Sequence, residues 1–188
     1  MSAAIYAVRF GLKVILIAQE YGGLIATTHL VENYPGFISI NGAELAENFR
    51  KQCEYLKVPM LTKKVEKIEK IAGEKPSYKT ICDDGEEYES PTVLIATGSA
   101  HRRLGVKGEN QYYGKGVSYC ATCDGMFFAD KDVAVVGGSD SAAKEALYLA
   151  DIAKSVKIIY RKEELRAEKI NKDRVEKNPK IELIKNAN

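Results

Sequence analysis

The chain has 188 residues, 45% apolar and 29% charged, with 28 basic residues against 26 acidic ones for a net charge of +2. That composition is globular rather than disordered, the near-balance of charge lacks the basic excess of a dedicated nucleic-acid binder, and no apolar run approaches the ~20 residues that span a bilayer. Arg9 and Lys13 break the apolar start, so no signal-peptide layout is present, and four unevenly spaced cysteines do not make a secreted disulfide scaffold. A reducing, cytoplasmic setting is the expectation, with no nucleic acid and no membrane among the partners.

Ser2 to Phe10 is alanine-rich and predicts a helix, with Gly11 as its C-terminal cap. Lys13 to Ala18 predicts a buried strand. Across 43–57, Leu45, Phe49, Cys53 and Leu56 share one helical face, and Pro59 ends that helix. Residues 61–95 predict a β-meander: Val65 to Ile71, Tyr78 to Cys82, a turn at Asp84-Gly85, then Thr92 to Ala96. Gly-rich loops surround 105–116. A second unit then runs strand 133–136, helix 141–152, strand 156–160, helix 163–176 and strand Ile181 to Ile184. The chain opens on a helix and closes on a strand, whereas a βαβ unit needs its preceding strand as a pairing partner. The expectation is therefore two incomplete nucleotide-type α/β lobes, divided as 1–105 and 106–188, from a longer protein.

The sharpest feature is Cys120-Ala121-Thr122-Cys123, followed by Asp124. A two-residue spacer lets two thiols close into a small ring or bind a metal together, and an adjacent carboxylate can move a proton as a thiolate leaves or attacks. Structural zinc takes four ligands, whereas Cys53, Cys82, His29 and His101 are scattered singly. Redox chemistry is the favoured reading over a zinc-binding module, and Cys53 and Cys82 read as core residues. Downstream, Val133 to Val136 leads into Gly137-Gly138-Ser139-Asp140-Ser141-Ala142, a strand, tight turn and helix start suited to a pyrophosphate. Ser139 replaces the middle glycine of the usual dinucleotide pattern, and Ala142 is an accepted variant at its end. After the next strand come Arg161, Lys162 and Arg166, where basic residues suit the 2′-phosphate of NADP rather than the free hydroxyl of NAD. Residues 161–188 carry nine basic and six acidic residues, a net of +3, so this end is the basic one.

Taken together, these segments resemble the low-molecular-weight thioredoxin reductases. Ser2 to Ala7 is similar to the helix after that family's first FAD phosphate loop. Gly22-Gly23 and Val31 to Gly36 resemble its flavin-side loop, and Ile95-Ala96-Thr97-Gly98 the strand end over the cofactor. Gly116 to Tyr119 leads into Cys120 to Gly125, the redox signature, while Glu145 to Ala150 and Arg161 to Ala167 resemble the NADP-side segments. The first glycine loop of the FAD lobe and the C-terminal return to that lobe have no counterpart, and Leu24 stands where the family often has Gln.

The resemblance implies two Rossmann-like lobes, for FAD and NADPH, of the pyridine nucleotide-disulfide oxidoreductase type, both incomplete, with a small β-meander. It implies FAD contacts at Gly22, Gly23, Leu24, Ile25, Asn33, Val65, Thr97 and Gly98. NADPH contacts are implied at Gly137, Gly138, Ser139, Asp140, Ser141, Ala142, Arg161, Lys162 and Arg166. Cys123 would face the flavin, Cys120 would attack the partner disulfide, and Asp124 would handle the proton. Thioredoxin or a similar protein is the implied partner, a homodimer the implied full-length assembly, and a hinge near the glycines at 105–116 the implied pivot. Alternatives of related type are the reductase module of a peroxide-reducing system and a dithiol oxidase. A zinc- or nucleotide-binding module, or a decayed pseudo-reductase, would be non-catalytic.

Overall fold

A computed structural model describes residues 1–73 and 77–187. The chain divides into two compact units, Met1–Ala100 and His101–Asn188.

The first unit opens with helix α1 (Ser2–Arg9), which stops where Gly11 takes a left-handed φ of +77°. Strand β1 (Leu16–Ala18) is shorter and less buried than the expected Lys13–Ala18 strand, because only these residues pair, parallel, with β2 (Met60–Thr62). Between them lie a short helix α2 (Gly23–Ala26) and the longer α3 (Gly42–Tyr55). Asn41 caps α3 by accepting the Ala43 N–H at 2.9 Å. The predicted apolar face of α3 is buried in two places. Leu45 packs with Val31 and Ile40, and Cys53 packs with Ala4, Ile5 and Val58. The helix ends before Pro59, since Lys57 turns left-handed and the Val58 N–H bonds back to Cys53 O.

The meander is β3 (Val65–Ile71), β4 (Ser77–Cys82) and β5 (Glu87–Ser90), paired antiparallel in that order. The expected third strand, Thr92 to Ala96, is a correction. The Asp84-Gly85 turn leads straight into β5, which takes the free edge of β4 with Tyr78 opposite Ser90. Thr92 to Ala96 pairs with no strand among the described residues, and its apolar Leu94 and Ile95 are exposed. An apolar run without a ladder partner is not a strand.

The second unit starts with two short helices, α4 (Glu109–Tyr112) and α5 (Ala121–Asp124), the latter continued by a 3₁₀ turn at Gly125–Phe128. A parallel sheet then runs β6 (Asp132–Val136), β7 (Ser155–Ile159), β8 (Ile181–Ile184), with α6 (Asp140–Ile152) and α7 (Lys169–Lys177) as its crossovers. Its core is α6 on the sheet. Ala142, Ala143, Ala146 and Ala150 are nearly inaccessible, which lets the helix lie close over Val135, Val156 and Ile158. Helix α7 begins at Lys169 rather than 163. The segment before it runs through bends instead, with Arg166 bridged to Ser139. Tertiary hydrogen bonds override the local helical pattern there.

Candidate functional site

Cys120 and Cys123 are joined by a disulfide, their Cα atoms 5.3 Å apart. Cys120 is the N-cap of α5, and its Sγ accepts the Cys123 N–H at 3.2 Å. The Cys120 N–H is in turn donated to Ser118 Oγ at 3.1 Å. Cys123 is exposed, and Cys120 and Asp124 are half-buried. The turn is seated on α6 through Ala121 and through Gly125. A Cβ at Gly125 would stand 3.1 Å from the Tyr148 ring and 3.3 Å from Leu149 Cδ2, so bare backbone is what brings the cysteine pair down onto the helix. Cys53 and Cys82 are free and buried, and burial raises both thiols above their usual range. Among the described residues no group of three or more His, Cys, Asp or Glu gathers in a metal-binding arrangement.

Upstream of the pair, Glu109 organises the glycine-rich stretch, a role not foreseen from sequence. This buried carboxylate accepts the N–H groups of Leu104 at 2.8 Å and Gly105 at 2.6 Å, and the Tyr119 hydroxyl donates to it as well. The Tyr119 ring stacks on His101 and meets Tyr113. The hydrogen bond from Tyr119, with those of the two amides, holds the Glu109 carboxyl below the usual range despite burial. Glu145, on α6, is the opposite case: burial pushes its carboxyl up, with His101 pulling the other way.

The Gly137-to-Ala142 motif sits at the carboxyl ends of the strands, where open α/β sheets take ligands. Gly137 adopts a φ of +152°, its N–H bonds Ile159 O at 3.0 Å, and a Cβ there would stand 3.3 Å from Ala142 Cβ. At Gly138 a Cβ would press on the Tyr160 side chain at 3.0 Å. Ser139 is the N-cap of α6, Asp140 and Ser141 form its first turn, and Ala142 is buried against the sheet.

A cavity of about 690 Å³ opens here between Gly138-Ser139 and the stretch Tyr160 to Arg166, lined by Arg161, Lys162, Glu164 and Arg166. The acid in that lining, Glu164, pairs with Lys172 at 3.6 Å, and the adjoining Glu163 with Lys185 and Asn186. Among the described residues Arg161, Lys162 and Arg166 have no acidic partner within salt-bridge distance. Three cations around one cavity, beside a bare-backbone turn and a helix start, fit a phosphorylated nucleotide.

The other expected contacts lie in the first unit, at separate places. Gly22 has a φ of +107°, and a Cβ there would meet Ala46 Cβ at 2.8 Å; Gly23, Leu24 and Ile25 follow in α2. Asn33 is exposed in the loop closed by the Val31–Ile40 bridge, and Val65 starts β3. Thr97 and Gly98 are exposed in the unpaired stretch, Gly98 at a φ of +66° with open space around it. Gly23 and Gly98 have open space where a Cβ would stand, whereas the bare backbone of Gly22 is what lets Ala46 pack against it.

The family model for pyridine nucleotide-disulphide oxidoreductase matches residues 1–188. Thioredoxin reductase of Rickettsia felis is 42% identical over 186 residues, covering 98% of this chain and 59% of that protein. Thioredoxin reductase of Mycolicibacterium smegmatis is 43% identical over 187 residues, again covering 59% of its length. Among solved structures, Lactococcus lactis thioredoxin reductase superposes with a TM-score of 0.93 at 39% identity, over 98% of this chain and 60% of that one. The T. acidophilum enzyme gives a TM-score of 0.86 at 36% identity, with the same two coverages. The chain thus spans about three fifths of the relatives it matches.

Proposed function

The chain belongs to the pyridine nucleotide-disulphide oxidoreductases, and from that premise we propose that it is the redox-active portion of an NADPH-dependent flavoprotein that reduces thioredoxin or a similar protein. The observation that carries this reading is the Cys120–Cys123 disulfide, with Cys123 exposed, seated on the helix whose N-terminal loop borders three unpaired cations.

In this reading Gly137 to Ala142 take the pyrophosphate of NADPH, and Arg161, Lys162 and Arg166 its 2′-phosphate. Gly22, Gly23, Leu24, Ile25, Asn33, Val65, Thr97 and Gly98 contact FAD. When bound, the two cofactors supply an electron pair. The residues of the chain do the rest. Two electrons break the Cys120–Cys123 bond, leaving two sulfurs that share the incoming protons, with Asp124 placed next in sequence to pass one. The Cys123 N–H already aimed at Cys120 Sγ stabilises a thiolate on Cys120. That thiolate attacks one sulfur of the partner's disulfide, forming a mixed disulfide and releasing the partner's other sulfur as a thiol. Cys123 then attacks Cys120, expelling the partner's second thiol and restoring the bridge. In this reading the enzyme is cytoplasmic and, at full length, a homodimer.

The test is a trapped adduct. With Cys123→Ser, the reduced chain mixed with oxidised thioredoxin accumulates a Cys120 mixed disulfide visible by mass spectrometry, whereas Cys120→Ser gives little. Equal adducts from both variants would remove the assignment of roles. No adduct from either, and no thiol transfer from the reduced wild-type chain, would remove the substrate class.

A further inference from the structure

Asn171, on the first turns of α7, is only 2% exposed. It shares the inward face of that helix with Val175, four residues on, where an apolar side chain would be buried without needing any partner. A buried amide is costly unless bonded, and this one has a specific partner: its Nδ2 donates to Asp140 Oδ1 at 2.9 Å. The same oxygen accepts the Glu168 N–H at 3.0 Å, and Asp140 Oδ2 pairs with Lys144 at 2.8 Å. Burial pushes the Asp140 carboxyl up, but the hydrogen bonds from Lys144, Asn171 and Glu168 outweigh it and hold it below the usual range.

The bonds to Glu168 and Asn171 tie the start of α7 to the start of α6. Arg166, two residues before Glu168, is fixed by its own N–H to Gly138 O at 2.8 Å and by its extended pairing with Ser139. The strip carrying the three cations is therefore pinned beside the glycine loop at successive points, by a backbone carbonyl at Arg166 and by the Asp140 carboxylate just beyond it. A guanidinium recognises phosphate through a fork of fixed geometry, so a small displacement of its backbone forfeits the contact.

We propose that Asp140 and Asn171 are a positioning pair that holds Arg166 over the glycine loop and so sets the preference for a nucleotide carrying a 2′-phosphate over one with a free 2′-hydroxyl. The proposal rests on the nucleotide reading above and deepens it.

The test is calorimetric titration of the 188-residue chain with 2′,5′-ADP and, separately, with 5′-AMP. Wild type is expected to bind 2′,5′-ADP more tightly. Asn171→Leu fills the same space without a donor. It is expected to weaken 2′,5′-ADP binding about tenfold while 5′-AMP binding stays within about twofold. Asn171→Asp, which sets two carboxylates against each other, loses the preference too. Asn171→Gln keeps an amide donor at the same position and leaves Asp140 with its bonds to Glu168 and Lys144, so it is expected to keep the preference. A folded Asn171→Leu with the wild-type ratio of affinities overturns the clasp and leaves the nucleotide reading standing. If wild type does not distinguish the two nucleotides, the nucleotide reading itself fails and the clasp with it. Should Asn171→Leu lose its thermal transition, Asn171→Gln against Asn171→Asp decides: the same ratio of affinities in both overturns the proposal.

Discussion

Glu109 shows how one carboxylate can organise a loop that is rich in glycine. Gly105, Gly108, Gly114 and Gly116 all take positive φ, yet Glu109 ties Leu104, Gly105 and Tyr119 together within the second unit. Its carboxyl is held low in the folded chain, so its contribution to stability is present above the unfolded value of ~4.3 and is lost as pH falls through the lower folded value. Carbon-13 NMR of the Glu109 carboxyl should titrate below ~4.3; a midpoint at or above that value would contradict the network. Tyr160 is the reverse case. It is 4% exposed and its hydroxyl is buried with no hydrogen-bond partner among the described residues. Tyr160→Phe is expected to leave the melting temperature unchanged or raise it, by up to about 1 kcal/mol of stability; a clear fall would reveal a partner for that hydroxyl. Neither residue was legible in the sequence. The cysteine pair and the run of cations were visible as residues, because a two-residue spacer brings two sulfurs within reach of each other and Arg161, Lys162 and Arg166 follow a strand end closely in sequence. Glu109 and Asn171 are single polar residues whose meaning depends on what folds around them.

Among the elements, the helix expected at 141–152 and the strands expected at 133–136, 156–160 and 181–184 were readable from pattern, since helix and strand repeat differently. Two elements were not. The stretch Thr92 to Ala96 has strand composition, but β5 had already taken the available edge of the meander. The stretch 163–168 has helical composition, but Gly138 O and the Asp140 carboxylate take the N–H groups of Arg166 and Glu168 and keep it out of a helix. In each case pairing partners distant in sequence decided the outcome. The junction of α2 and α3 is a third contact invisible to local pattern. A Cβ on Gly42 would come 1.8 Å from Ile25 O and 2.7 Å from Thr28 O, and neither backbone atom can yield cheaply. Gly42→Ala should therefore cost at least ~1–3 kcal/mol in chemical denaturation. Gly11→Asn is the control: it has open space and a φ that Asn tolerates, so it should be close to neutral. Similar losses in both would remove the steric argument.

At the scale of the molecule, the two units divide the chemistry. The second carries the disulfide and the cation-lined cavity on one βαβαβ framework, with the cysteine turn on the body of α6 and the glycine loop at its start. The first carries the glycine turns assigned to FAD. Two nucleotide-type lobes were foreseen from the repeated helix–strand order, and the family match over the whole chain agrees with them. The chain spans 59% of the length of its curated relatives, so the activity of the whole protein is best tested in a chain extended to their length. The direct measurement is NADPH-driven reduction of thioredoxin by that extended protein, loaded with FAD, with Cys123→Ser compared to wild type. The account predicts that the variant loses thioredoxin reduction down to background while NADPH still bleaches its bound flavin. Thioredoxin reduction at the wild-type rate without Cys123 would contradict it.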